Sequence, residues 1–174
     1  HARGMWHYAR GRALAAKGDV SGAEAELERL RELAAHPDLE GVRLEFNTSD
    51  AVLGIAVDVL EGHVARARGD LPGALDHLRE AARREDEMVY GEPPDWTVPV
   101  RHDLGAVLLE AGRAEDAERA FREDLDRFPK NGWSLHGLAL ALEEQGRAEE
   151  ARETMAEFEE VWSEADAPIV ASRM

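Results

Sequence analysis

The sequence predicts an all-α fold, a right-handed α-solenoid in which about four helix-turn-helix repeats supply eight helices. Two observations lead to this prediction. The turn Gly-Arg-Ala-Glu-acid-Ala occurs at residues 112–117 and again, 34 residues later, at 146–151. A related turn, Gly-Asp-x-x-Gly-Ala, occurs at 18–23 and 69–74. Because self-similarity at a period of this size is typical of stacked helical repeats, we expect the chain to present a surface rather than to perform chemistry.

Two helix pairs are predicted in the first half, as repeats at about 3–36 and 49–87. Gly18 ends the first helix in a position that needs a positive φ, and Ser21 begins the next helix with a capping-box pattern. Residues 37–47 are predicted to form a linker loop between these repeats.

The second half begins after an interruption at residues 90–99, where prolines cannot continue a helix. Asp95 is predicted to cap a helix that begins at Trp96. The remaining two repeats and a tail lying on the last helix are expected at 96–129, 131–165 and 166–174. All four repeats are expected to form a single domain over residues 1–174.

The composition restricts the classes of partner. The 174 residues include 37 acidic and 21 basic side chains, a formal net charge of −16, and no cysteine. An acidic surface repels phosphate groups, so nucleic-acid partners and anionic membranes are not expected. No apolar run approaches the ~20 residues of a membrane helix, and no signal peptide is visible. The compartment is left open, with the cytoplasm favoured.

The repeat pattern resembles the tetratricopeptide repeat. That family has a small residue in the first helix of each repeat, a glycine in the turn, an alanine early in the second helix and a larger apolar residue one turn later. The matching positions are Gly11, Gly18, Ala23 and Leu27; Gly62, Gly69, Ala74 and Leu78; Gly105, Gly112, Ala117 and Phe121; and Ala139, Gly146, Ala151 and Met155.

The sequence departs from the family pattern in two ways. The turn glycines lie 51, 43 and 34 residues apart, so the first two junctions contain inserts. The tryptophan typical of the first helix is replaced in every repeat, by His7, Asp58, Arg101 and Leu135. The insert at residues 92–96 also resembles one found in a group of bacterial repeat proteins. The sequence opens at His1, so we expect it to be the C-terminal part of a longer bacterial protein.

The resemblance implies a non-enzymatic interaction module that binds a peptide or protein partner on its concave face, which the first helices of the repeats would line. No cofactor is implied. The family's carboxylate clamp of lysine and asparagine, which holds the C-terminus of heat-shock chaperones, has no match here. The residues expected to face a partner are Tyr8, Arg12, His63, Arg66, His102, Trp133, His136 and Leu140.

An alternative function, the binding of a small molecule or a metal, is also left open by the sequence. In this alternative the insert at 90–99 closes the groove, with Tyr90, Asp95 and Trp96 as a lip. The candidate metal ligands are the imidazoles of three first helices, assisted by an oxygen of Glu110 or Asp103. These imidazoles belong to His63, His102 and His136.

The last helix carries an apolar stripe formed by Met155, Phe158 and Trp162. A terminal helix normally turns a polar face outward. If the tail leaves this stripe uncovered, we expect a two-fold homodimer through the last helix.

Overall fold

The computed structural model describes residues 1–166 and residue 169. Within this range the protein is all-α, and the only extended pairing is an isolated bridge between Arg43 and Thr48. Its eight α-helices are α1 (Ala2–Ala16), α2 (Val20–Ala34), α3 (Ser49–Ala67), α4 (Leu71–Asp86), α5 (Val100–Glu110), α6 (Ala114–Arg127), α7 (Gly132–Glu144) and α8 (Ala148–Trp162). The predicted helical fold is confirmed, and the predicted tail lies mostly outside the described residues.

Each helix pair is joined by a tight turn that depends on a left-handed glycine. The φ angles are +77° at Gly18, +81° at Gly69, +68° at Gly112 and +76° at Gly146. Residues with a side chain rarely adopt this conformation, so glycine is the natural residue at all four turns. The positive φ predicted for Gly18 is confirmed, and the turn glycines of the other three pairs share this conformation.

Within a pair, the two helices approach closely where the first helix has no side chain. A Cβ atom on Gly62 of α3 would lie 2.8 Å from Leu78 Cγ of α4. A Cβ atom on Gly105 of α5 would overlap the ring of Phe121 on α6. Both large side chains are almost completely buried, so these glycines provide the space that the paired helices need.

Two predicted helix starts were wrong. Asp19, rather than Ser21, caps α2, because its carboxylate accepts a hydrogen bond from the N–H of Gly22 at 3.0 Å. Helix α5 begins at Val100 rather than at Trp96. Pro99 accounts for the later start, since the residue before a proline is disfavoured in the α conformation.

The helices form two compact units, which are described separately: unit 1 is residues 1–100 and unit 2 is residues 101–174. The core of unit 1 includes Leu53 and Leu60 of α3, which pack against Gly4 and Gly11 of α1. The core of unit 2 includes Phe121, which is completely buried. A single domain over residues 1–174 stays a prediction.

The close packing of α5 and α6 can be tested at Ala117, which is completely buried at the start of α6. Replacing Ala117→Leu adds three carbon atoms to a filled core, and overpacking of this kind costs about 1–3 kcal/mol. We expect urea unfolding to show a loss of this size. The control is Ala156→Leu, on the exposed side of α8. Equal stability of both variants and the parent chain would contradict the helix pairing described here.

Candidate partner-binding surfaces

The two inserts of unit 1 are joined by a hydrogen-bonded brace. The Asp95 carboxylate accepts hydrogen bonds from the N–H groups of Phe46 and Asn47, at 3.1 and 2.8 Å, and from the Asn47 side-chain amide at 3.0 Å. The Asn47 side chain also forms two hydrogen bonds with the backbone of Val89, at 2.8 and 3.0 Å. The brace therefore connects the junction before α3 to the junction after α4.

The electrostatics of the brace favour an ionised Asp95. Burial alone would raise the pKa of this carboxyl, but the hydrogen bonds from Asn47 and Phe46 hold its pKa below the ordinary value. Asp95 thus serves the fold of unit 1. Its predicted roles as a helix cap and as a ligand-contacting lip residue are not supported by these contacts.

The insert also covers part of α1. Trp96 is only 7% exposed and packs on Tyr8, with ring centroids 5.4 Å apart. Tyr8 is itself buried and meets Arg12 on another side, where the Arg12 Nη1 atom donates to the phenol oxygen at 3.1 Å. The Arg12 guanidinium lies 5.6 Å from the centroid of the Tyr8 ring. Tyr8 and Trp96 therefore form a support, and Arg12 is the more accessible member of this group.

The other predicted binding residues of unit 1 lie in more open positions. His63 and Arg66 of α3 are both partly exposed. Tyr90 is 76% exposed, and its hydroxyl donates a hydrogen bond to Glu92. Of the three predicted lip residues, Tyr90 is the accessible one.

In unit 2, the aromatic residues of α8 pack back onto α7. Trp162 meets Trp133 edge to face with centroids 5.9 Å apart, and Phe158 meets His136 at 5.3 Å. Phe158 and Trp162 also stack on each other at 5.9 Å. Phe158 and Trp162, two of the three residues of the predicted dimer stripe, therefore pack against α7 within unit 2. Trp133, His136 and Leu140 remain partly exposed.

His102 is placed in the interior of unit 2 rather than on a partner-facing surface. It is 3% exposed, and its Nε2 atom lies 3.3 Å from Asp124 Oδ2. The same carboxylate oxygen accepts hydrogen bonds from the Ser134 hydroxyl at 2.5 Å and from the Asn131 amide at 3.2 Å. This buried network connects α5, α6 and α7, so the prediction that His102 contacts a partner is corrected.

No group of three or more His, Asp or Glu side chains in residues 1–166 and 169 is arranged to hold a metal ion. None of the helices in that range is both long and apolar enough to cross a membrane.

Comparison with known proteins decides the family. Profiles described as "Tetratricopeptide repeat" match residues 5–29, 55–80 and 108–159. The chain belongs to the tetratricopeptide-repeat family. It is 27% identical over 142 residues to cellulose synthase operon protein C of Escherichia coli (strain K12), a match that spans 82% of this chain and 12% of that protein.

Solved structures show the same fold. MamA protein superposes with a TM-score of 0.53 at 17% identity, covering 97% of this chain and 98% of that chain. MamA AMB-1 gives a TM-score of 0.51 at 20% identity, covering 92% and 99%. The tetratricopeptide-repeat solenoid predicted from the sequence is thereby confirmed.

In three of the four repeats, an ionisable residue that forms a polar contact stands where the family has tryptophan. In each of the first three repeats, the substituted residue of the first helix pairs with an oppositely charged or ionisable residue on the second helix. The pairs are His7 with Glu26 (2.6 Å), Asp58 with Arg84 (2.6 Å) and Arg101 with Glu123 (3.2 Å). A polar contact thus takes the place of the family's aromatic residue between paired helices.

Sequence reasoning missed the brace at Asn47 and the network at Asp124. The available signal for the first was the presence of inserts on both sides of one repeat. The signal for the second was an aspartate on the apolar stripe of α6, where the repeat pattern places buried residues at Ala117 and Phe121. Neither signal identifies the hydrogen-bond partners.

The Asp124 network can be tested by removing its acceptor. Asp124→Ala leaves the buried Ser134 and His102 and the partly buried Asn131 without that carboxylate, and a buried polar group left unsatisfied costs about 1–3 kcal/mol. We expect a loss of at least this size in the free energy of unfolding, measured by urea denaturation. Asp126→Ala, an exposed substitution on the same helix, is the control. A loss no greater than that of the control would refute a structural role for the network.

The environment of His136 predicts a pH effect. Burial of the imidazole lowers the pKa of His136 below its ordinary value of 6.5. The unfolded chain therefore binds this proton more tightly, and the free energy of unfolding decreases as the pH falls below 6.5. We expect the NMR titration midpoint of His136 to lie below 6.5 in the folded protein and to return to the ordinary range in urea. A midpoint at or above 6.5 in the folded state is the contrary result.

Proposed function

We propose that the chain is a non-enzymatic interaction module and that the first helices of each unit contact a protein partner. Family membership supports this proposal, because tetratricopeptide repeats serve as protein-interaction modules and are generally non-enzymatic. In unit 1 the proposed contact surface consists of Arg12, His63 and Arg66, and it is called the α1–α3 face.

The observation that carries the proposal is the fixed position of Arg12. Its guanidinium is held against the Tyr8 ring by a cation–π contact at 5.6 Å and by a hydrogen bond to the phenol oxygen at 3.1 Å. Tyr8 is in turn held by Trp96. An arginine ordered before binding loses little conformational freedom when a partner arrives, which favours affinity.

The charge of the α1–α3 face supports a partner that presents carboxylates. Arg12 and Arg66 are cationic in a chain whose formal net charge is −16. Guanidinium groups form their strongest hydrogen bonds with carboxylates. The acidic remainder of the surface repels anionic groups, so the carboxylates of the proposed partner segment would be confined to this face.

In unit 2, the proposed contact surface consists of partly exposed residues of α7. Trp133, His136 and Leu140 offer aromatic and aliphatic contact area on α7, and tryptophan is enriched among the residues that dominate binding energy. We assign them to contacts with apolar side chains of a protein partner. Because His102 is buried in the Asp124 network, it is not part of the proposed contact surface.

Closure over a small ligand is the second candidate function, and one observation favours it. Trp96 covers Tyr8, and its buried indole Nε1 atom has no hydrogen-bond acceptor among the described residues. An acceptor on a small ligand would satisfy that group. The two functions differ in their need for Arg66. Binding of a peptide on the α1–α3 face requires Arg66, whereas binding of a small ligand at Trp96 does not.

The test is selection of peptides from a random library displayed on phage, followed by fluorescence anisotropy with synthetic copies. We expect acidic sequences to be selected, and the double variant Arg12→Ala/Arg66→Ala to weaken their binding at least tenfold, as the loss of charged hydrogen bonds implies. The matched control is Arg79→Ala/Arg83→Ala, on the exposed side of α4. Selected peptides that lack acidic residues, or that bind the two double variants equally, would contradict the proposal.

A further inference from the structure

Exposed apolar side chains of unit 1 are concentrated in the two junctions that the brace connects, residues 37–47 and 87–99. Val42, Val89 and Tyr90 belong to these junctions, and they are three of the six large apolar side chains that are exposed among residues 1–166 and 169. Val89 is 63% exposed and Tyr90 is 76% exposed. A group of exposed apolar side chains on loops is typical of a surface that contacts another molecule.

Phe46 joins the two junctions into one apolar surface. A Cβ atom on Gly91 would overlap the Phe46 ring, so this ring lies against the backbone that directly follows Tyr90. Phe46 is itself partly exposed. Phe46, Val89 and Tyr90 are called the junction patch.

The brace fixes the backbone of the junction patch, while the side chains of Val89 and Tyr90 stay mostly exposed. Both the N–H and the carbonyl of Val89 are hydrogen-bonded to the Asn47 side chain, at 2.8 and 3.0 Å. The N–H of Phe46 donates to the Asp95 carboxylate at 3.1 Å. A surface whose backbone is ordered before binding loses little conformational freedom when a partner arrives, which favours affinity.

The two junctions carry an excess of negative charge. They contain one basic residue, Arg43, and six acidic residues, which are Asp38, Glu40, Glu45, Glu87, Glu92 and Asp95. Glu45 directly precedes Phe46, and both Glu45 and Glu92 are exposed. Glu92 also accepts a hydrogen bond from the Tyr90 hydroxyl, which places a carboxylate at the edge of the junction patch.

The basic side chains of this region are already engaged by the fold. At the end of α4, Arg83 pairs with Glu80 and Glu87. Arg84 pairs with Asp58 and Glu80. In the first junction, Arg43 donates to the carbonyl of Phe46 at 3.5 Å. The charge that the junction patch offers to a partner is therefore negative.

We infer that the junction patch binds a basic segment of another protein that also carries apolar side chains. A lysine or arginine of this segment lies over the Tyr90 ring in a cation–π contact, and others pair with the carboxylates of Glu45 and Glu92. Apolar side chains of the segment contact Val89 and Phe46. This surface is opposite in charge to the α1–α3 face, so it takes a different segment and extends the proposed function.

Other classes of ligand fit the junction patch less well. The acidic residues repel the phosphates of nucleic acids and of anionic membranes. A small molecule needs a site that buries most of its surface, whereas Val89 and Tyr90 form an open one.

The experiment selects peptides from a random library displayed on phage, after removal of the phage that bind the variant Val89→Ser/Tyr90→Ser. We expect the selected peptides to combine lysine or arginine with aliphatic or aromatic residues. Synthetic copies are then measured by fluorescence anisotropy. Binding is expected to weaken at least tenfold in Val89→Ser/Tyr90→Ser and in Glu45→Gln/Glu92→Gln, and to weaken with added salt.

Two control variants separate this contact from other effects of charge. Glu153→Gln/Glu157→Gln, on the exposed side of α8, makes the same change in charge as Glu45→Gln/Glu92→Gln and is expected to bind like the parent chain. Arg12→Ala/Arg66→Ala, which tests the α1–α3 face, is expected to bind these peptides like the parent chain too. Circular dichroism and thermal unfolding verify that every variant is folded.

Three results would overturn the inference. The first is selection of acidic or uncharged peptides, or no selection at all. The second is equal weakening by the two Glu→Gln double variants, since net charge alone would then attract the peptides. The third is self-association of the parent chain that Val89→Ser/Tyr90→Ser abolishes, since a second copy would then be the partner of the junction patch.

Discussion

The fold depends on how closely the two helices of each pair approach one another. Gly62 lies against Leu78 and Gly105 lies against Phe121, at separations that leave no room for a Cβ atom. Close approach brings the buried side chains of a pair into contact over most of their length, which is where the apolar surface of each helix is removed from water. The turn glycines fix where each pair reverses, so the close contacts recur at repeat-equivalent positions.

Charged contacts add specificity to this packing. Where the family uses tryptophan, the first three repeats pair an ionisable residue of the first helix with one on the second, as His7 does with Glu26 and Asp58 with Arg84. Burial raises the pKa of Asp58, while the charge of Arg84 opposes the shift. The Asp58–Arg84 pair contributes modestly to stability, and it disfavours a shift of α3 along α4 because the two charges would separate.

The sequence was sufficient to predict the helices and their turns, apart from the starts of α2 and α5, because these follow from local glycine positions and from helical spacing. It was insufficient for contacts that depend on distant loops. Asp95 follows two prolines and precedes an expected helix, so a local reading predicts a cap, yet its acceptor atoms are used by Phe46 and Asn47, some 48 residues away. His102 stands at a position that faces the concave surface in the family, but here its imidazole contacts Asp124 and Asn131 in the interior of unit 2.

The brace between Asn47 and Asp95 has a mechanical consequence. It ties together the chain segments that enter α3 and leave α4, so these two helices form a closed loop that is clipped at its base. Tension applied along the polypeptide passes from residue 47 to residue 95 through the hydrogen bonds of the brace. Helices α3 and α4 carry that load only after the hydrogen bonds of the brace have broken. The second repeat therefore resists stretching up to the force that breaks them.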